Sequence, residues 1–259
     1  MPLHDDYSSY ESEFEEELPR ETGIKRILEV LSRDYNPLML AGLINVITFL
    51  PFLFMCGYAV ALHSILFALL AGVIGGLIAA PFFYGLADVI LRGLRDEPAY
   101  GIHRYMRALR NNWVSTLLPG AVFGMVFALQ IFIILHLPQL GGLGLLICEA
   151  VSVAVCLGIF LWALPQTVLL QLSFGALIKN SILLCFRYFG KSFVCIVLFA
   201  AYTALLIRLF PASVFLLLVC GFWLVLLVIF QMIYPILDEV FQIEQTLKEN
   251  RKKASAQGE

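Results

Sequence analysis

Six apolar runs divide this chain: Leu38 to Leu62, Ile65 to Leu91, Val114 to Leu137, Leu143 to Leu170, Ser192 to Ile207 and Ala212 to Ile236. Crossing a bilayer core takes roughly 20 mostly apolar residues in a helix. Lipid offers unpaired backbone groups no partner, so runs of this kind must be helical. The polar segments between them carry the second constraint. Of the 17 Lys and Arg residues, all but Arg208 fall on one side of a plane drawn through the runs. Arg20, Lys25, Arg26 and Arg33 precede the first run, and Arg92, Arg95, Arg104, Arg107 and Arg110 lie between the second and third. Lys179, Arg187 and Lys191 separate the fourth and fifth, and Lys248, Arg251, Lys252 and Lys253 follow the sixth. Short cytoplasmic loops are the ones enriched in Lys and Arg, so both termini are predicted to be cytoplasmic. The expected fold is therefore an all-α polytopic membrane helix bundle with six transmembrane helices and cytoplasmic amphipathic helices. The expected localisation is the cell membrane, as a multi-pass protein.

Charged residues make up 14% of the chain, against about 25% in a typical soluble domain, which excludes an ordinary soluble fold. Four regions follow. Residues 1–21 are acidic and poor in aliphatics, so burial cannot offset the entropy of ordering them, and a disordered tail is expected. The same stretch has no basic segment followed by a short apolar core, so it does not read as a cleavable signal, and the first crossing is expected to serve instead. Residues 22–36 carry Ile24, Ile27, Leu28 and Leu31 at helical spacing, with Lys25, Arg26 and Arg33 on other faces; this suits a helix lying on the cytoplasmic leaflet. Asn36 and Pro37 are expected to end it and begin the first crossing. Residues 37–237 form the six-helix transmembrane domain, and 238–259 a charged cytoplasmic tail.

Small residues recur at four-residue intervals on two of the runs. Ala68, Gly72, Gly76 and Ala80 share one face of the second helix, and Gly120, Gly124 and Ala128 one face of the third. In lipid, packing rather than water exclusion drives association, and faces without side-chain bulk let backbones approach closely. The second and third helices are predicted to pack face to face. Prolines at Pro51, Pro81, Pro119, Pro165 and Pro235 each remove a backbone hydrogen bond, so kinks are expected. Between Arg92 and Trp113, the apolar residues Ile102, Tyr105, Met106, Leu109 and Trp113 recur beside Arg104, Arg107 and Arg110. That pattern predicts a second interfacial helix, which could anchor to anionic headgroups or receive a cytoplasmic partner through Arg104, Arg107, Arg110 and Trp113. The stretch QLSFGALIKNSILLCFRYFGK reads as a further short surface helix.

Chemistry-bearing motifs are few. The cysteines Cys56, Cys148, Cys156, Cys185, Cys195 and Cys220 fall almost entirely in or beside apolar runs, without a CxxC, and are expected to be free thiols. His4, His63, His103 and His136 are too dispersed along the sequence to suggest a metal site, so no metal and no cofactor is expected. There is no HExxH, no GxSxG elbow and no phosphate loop, and no enzymatic activity is expected. The basic residues lie where a membrane protein places them, which argues against nucleic-acid binding. Three intramembrane polar residues stand out: Glu149, Arg208 and His136. Glu149 falls about 9 Å inside the outer end of the fourth helix, counted from six residues at 1.5 Å each. A carboxylate there needs a partner or a proton. Arg208, with His136 as the alternative, is its expected partner near the outer face.

The segment PFFYGLADVILRGLRDEPAYGIHRYMRALRNNWVSTLLPG resembles the most recognisable part of the YesL-like (DUF624) family of bacterial membrane proteins. The shared pattern is a proline-containing helix (Pro81), an arginine before an acidic turn (Arg92 to Glu97), an aromatic amphipathic segment (Tyr100 to Leu109), and a basic-Asn-aromatic step (Arg110 to Trp113). Lys179 and Asn180 in LPQTVLLQLSFGALIKNSILLCFRYFGKSF resemble a later family segment. Together the likeness spans about Thr22 to Ile236, with Ala80 and Phe82 departing from the family's usual residues around the proline. The family has no established activity. Its members are often encoded near carbohydrate transport systems, so the resemblance implies an accessory role in a membrane transport complex. The expected function is a non-catalytic accessory or interaction partner whose partners are the bilayer and a transport complex or cytoplasmic protein. The alternative is a small-solute transporter or channel with a polar site near Glu149.

Overall fold

The computed structural model describes residues 23–96, 101–140, 142–247 and 249, without the side chains of 101–104, 107–108, 111–112 and 138–140. The expected acidic tail and the last residues of the expected charged tail lie outside this range. In chain order the helices are α1 (Ile24–Ala61), α2 (Ile65–Leu94), α3 (Gly101–Leu140), α4 (Leu143–Leu169), α5 (Phe174–Arg187), α6 (Phe189–Arg208), α7 (Ser213–Cys220) and α8 (Trp223–Phe241). No strand occurs among the described residues. Six helical stretches are long and apolar enough to cross a membrane: α1, α2, the Trp113–Leu137 part of α3, α4, α6 and α8. The chain is an all-α polytopic membrane helix bundle. Its outer surface has the matching chemistry, with Phe54 77% and Phe215 74% exposed, a surface that lipid rather than water covers.

Packing is uneven along the bundle axis. Toward the end that carries the basic segments, every residue of α2 from Ala79 to Leu94 is buried except the half-buried Phe82 and Phe83. Likewise the whole of α4 from Leu161 to Leu169 is buried, and Leu226, Leu227, Ile229, Phe230 and Ile233 of α8 complete a core around Trp162. At the far end the helices present mostly apolar surface. There α4 buries a single residue between Leu143 and Cys156, and that residue is Glu149.

The α2–α3 seam holds the middle together. A β-carbon added at Gly76 would lie 2.3 Å from the Gly120 carbonyl oxygen, and one at Gly124 would lie 2.4 Å from that of Gly72. One at Gly120 would meet the Ala80 methyl at 2.2 Å, and one at Gly72 would meet Ala128 at 2.8 Å. These backbones are in direct contact because neither helix offers a side chain to separate them. Further toward the basic end, Tyr105 and Leu109 pack over Gly85 of α2. The seam therefore runs antiparallel from Gly72 to Gly85 and back along Ala128 to Tyr105.

Several elements differ from the sequence expectations. The stretch 22–36 is not a separate surface helix; α1 is continuous apart from a break at Asp34 (φ −112°, ψ 19°). Pro37 has no N–H for the carbonyl four residues back, which loosens the helix at that turn. Arg26 is 4% exposed and Val30 fully buried, whereas Ile24 and Leu28 face outward. The amphipathic segment before the third crossing is likewise part of one 40-residue helix, because Tyr105 and Leu109 find a surface on α2. The sixth apolar run is broken into α7 and α8 by Gly221, whose φ of 49° is left-handed. Glycine accepts that conformation at no steric cost. The freed backbone is compensated within the protein: the Tyr202 hydroxyl donates to the Gly221 carbonyl, and the Trp223 ring fills the space over Gly42 of α1. Beyond α8, Ile243 and Leu247 return to the core, and the Glu244 amide donates to Asp238 at 2.8 Å. Chain packing thus reaches Leu247, inside the segment 238–259 expected to be a charged cytoplasmic tail.

Candidate functional site

Polar side chains gather at three depths of the bundle. At the basic end, two arginines of α1 grip the C-terminal end of α2. Arg26 donates to the Leu94 carbonyl at 2.7 Å and pairs with Asp96 at 2.7 Å and with Glu29 at 2.8 Å. Arg33 donates to the Gly93 carbonyl at 2.8 Å and pairs with Asp96 at 2.6 Å and with Asp34 at 2.8 Å. The last carbonyls of a helix are unpaired and carry its negative dipole end, so cations there satisfy both demands. Burial opposes ionisation of Asp96, but hydrogen bonds from Arg26 and Arg33 outweigh it and hold this carboxyl below the usual carboxylate range. One turn earlier on α2, Asp88 and Arg92 pair at 2.8 Å, both nearly buried. The α1 arginines thus act as a clasp on the end of α2.

In the same half, α4 is tied to the two helices that follow it. The Gln166 amide donates to the Trp162 carbonyl at 2.9 Å and to the Ser181 hydroxyl at 3.1 Å. The Trp162 indole donates to Ser192 at 2.9 Å, and Ser192 in turn donates to the Cys185 carbonyl at 2.9 Å. All four of these polar side chains are buried, and among their polar atoms Gln166 Oε1 alone has no partner.

The middle cluster lies between α3 and α4. Gln130 donates to Ser152 at 2.8 Å and approaches the Cys156 sulfur at 3.9 Å. Glu149, Ser152 and Cys156 follow one another at helical spacing and so share the face of α4 turned to Gln130. Two acceptors in this cluster, Glu149 Oε1 and Gln130 Oε1, are buried without a partner. A proton or a water would satisfy the first, and a water the second.

The expected Glu149 and Arg208 pair does not form. Arg208 is exposed at the C-terminal turn of α6, while Glu149 is buried on the α4 face that carries Ser152 and Cys156. Helix rotation decides this, because α4 presents Glu149 on its only buried face in that half. His136 does not serve as the alternative partner either. Its Nε2 lies 2.9 Å from Nδ1 of His63, on the turn between α1 and α2 at the far end.

Of the expected cytoplasmic contact residues, Arg110 is exposed, and Trp113 is 41% exposed with its ring edge-on to Phe82 at 6.3 Å. The side chains of Arg104 and Arg107 lie outside the described residues. All six cysteines are free, and among the described residues no three His, Cys, Asp or Glu side chains come together as a metal cage.

Sequence reasoning passed over Gln130, Ser152 and Asn45, and set His63 aside as too far along the chain from the other histidines. Gln130 and Asn45 are each a lone amide inside an apolar run, the same signal that singled out Glu149. Asn45 is fully buried on α1, between Gly42, which meets Trp223, and Phe49, which meets Phe222; neither of its amide atoms has a partner. The amide therefore borders the α7–α8 break. The chain matches no protein-family model, no curated protein and no solved structure.

Proposed function

We propose that this integral membrane protein is a non-enzymatic accessory subunit of a membrane transport system, resident in the cell membrane with its basic end in the cytoplasm. The observation that carries this reading is the packing of the basic half. The helices that would have to line a solute passage there, α2 and α4, are buried on all sides across 84–94 and 161–169. Several polar groups among them are tied to one another or to neighbouring helices, as Asp88 is to Arg92, Gln166 Nε2 to Ser181 and Trp162 to Ser192, whereas Gln166 Oε1 has no partner. What the basic end does present is surface: Arg110 and Trp113 at the start of the third crossing, and a shallow groove on α5 lined by Phe174, Ile178, Lys179 and Ile182. Aromatic and basic residues of this kind dominate contact energies at protein interfaces. The likeness to the YesL-like family points to carbohydrate uptake as the class of system served.

Crosslinking in native membranes, affinity purification and mass spectrometry test the proposal. Recovery of a defined transport component, reduced at least tenfold by Trp113→Ala with Arg110→Ala, is the expected result. A second reading, transport by the chain itself, is favoured by the two unpartnered acceptors at Glu149 and Gln130. Recovery of the chain alone, with sugar flux in reconstituted vesicles that Glu149→Gln abolishes, would establish that second reading and overturn the first.

A further inference from the structure

The histidines at the far end carry an inference independent of the accessory role. His63 and His136 are 73 residues apart, yet their facing ring nitrogens lie 2.9 Å from each other. Nδ1 of His136 lies 2.8 Å from the Phe132 carbonyl oxygen. A carbonyl can only accept, so this Nδ1 carries the proton and Nε2 presents a lone pair toward His63. The pair is then held by the proton on His63 Nδ1. The His136 ring is fixed further by contact with the Phe132 ring, 4.2 Å between centroids, and is 9% exposed. His63, by contrast, is exposed on a turn, with a left-handed φ of 48°.

We propose that His63 and His136 form a binding site for one late first-row transition metal ion, of the zinc or copper class, at the far face of the membrane. Imidazole binds such ions at about 2.0–2.1 Å, so two imidazoles on a tetrahedral ion stand about 3.3 Å apart. With His136 fixed, the ion takes up the line on which His63 Nδ1 now lies, so that nitrogen must move aside by about 2 Å to bring both lone pairs onto the ion, and the exposed turn and side chain of His63 can supply that movement. The bond from His136 to a backbone carbonyl is the support that metal-bound imidazoles ordinarily have, since it fixes both tautomer and ring direction. On binding, the proton on His63 Nδ1 leaves and Nε2, facing water, takes one up. Both rings stay neutral, and the ion keeps its full charge. Water fills the remaining positions. Imidazole donors suit zinc, copper and nickel, with copper(II) held most tightly, whereas magnesium and calcium require oxygen ligands. A bound ion would staple the α1–α2 turn to α3, where apolar packing is sparse.

The test is calorimetric titration of the purified full chain in detergent with zinc chloride and copper(II) chloride, magnesium chloride serving as the control. One ion per chain is expected beyond whatever the His63→Ala/His136→Ala double variant binds, and magnesium should give no signal. Each single variant should weaken binding about tenfold or more. His63→Gln provides a variant on an exposed turn that can still hydrogen-bond to His136 while losing the second imidazole. It should fold with the wild-type melting temperature and lose the zinc-dependent rise in that temperature. Copper(II) spin resonance should show nitrogen couplings from two imidazoles in the wild type and from fewer in His63→Gln. Equal binding by wild type and double variant, or no site in the wild type, would overturn the proposal and leave the pair as a hydrogen-bonded tie.

Discussion

Replacing Gly76 by alanine puts one methyl group into the α2–α3 seam, where its carbon would lie 2.3 Å from the Gly120 carbonyl oxygen and 3.0 Å from the Gly124 α-carbon. An ordinary contact begins near 3.4 Å, so the backbones must part by about 1 Å. A gap of that size forfeits about a quarter to a half of each dispersion contact along the seam. Overpacking of this kind costs about 1–3 kcal/mol, and alanine's better helix propensity returns at most about 1 kcal/mol. The net expectation is a loss of up to about 2 kcal/mol, a melting point lower by up to about 8 °C for a domain of this size. Gly57→Ala is the matched control, because an added β-carbon there meets nothing within 4 Å. Thermal unfolding of both variants in the same detergent, followed by circular dichroism, makes the comparison. Equal melting of Gly76→Ala and Gly57→Ala would refute direct backbone contact between α2 and α3.

Two further perturbations probe the polar groups. Asp96 has a folded pKa below its ordinary value of 3.8, so its stabilisation is complete above that value and is lost as the pH falls through the lower folded one. With the Asp96 side chain 35% exposed, solvent screening limits this to about 1 kcal/mol. Asp96→Asn should lower stability by about that amount at pH 7 and flatten the acid limb of the melting-temperature profile; an unchanged acid limb would remove the clasp from the account. Asn45→Leu replaces a fully buried amide without partners by an apolar group of similar size. It should leave the protein as stable or more stable by about 1 kcal/mol, and a loss of 2 kcal/mol or more in chemical unfolding would show that Asn45 holds something.

Much of this architecture is legible in the sequence, for physical reasons that also mark where reading fails. Helical crossings follow from apolar length alone, and the seam follows from glycines at four-residue spacing, a pattern with no other packing use of comparable strength. The break at Gly221 is not legible, because a single glycine in an apolar run looks the same whether its φ is helical or left-handed. Continuity of α3 through Trp113 depends on α2 offering Gly85 to Tyr105, a contact between segments about twenty residues apart. Glu149 is conspicuous by composition, but its surroundings depend on the rotation of α4, which turns it toward Gln130 and leaves Arg208 exposed. The approach of His63 to His136 is invisible to spacing arguments, since only the antiparallel course of α2 and α3 returns position 136 to the turn at 63. Arg26 is a topological signal in the sequence and a buried structural group in the fold, and nothing in its local pattern separates the two.

The orientation of the bundle underlies both the proposed partner surface and the proposed metal site, and cysteine accessibility in intact cells measures it directly. Single cysteines at Ser9, Ser64 and Ala254, each in a chain whose six native cysteines are replaced, are exposed to a membrane-impermeant maleimide. The account predicts modification at position 64 alone in intact cells, and at all three positions after permeabilisation. Labelling of position 9 or 254 before permeabilisation, with position 64 protected, would contradict it.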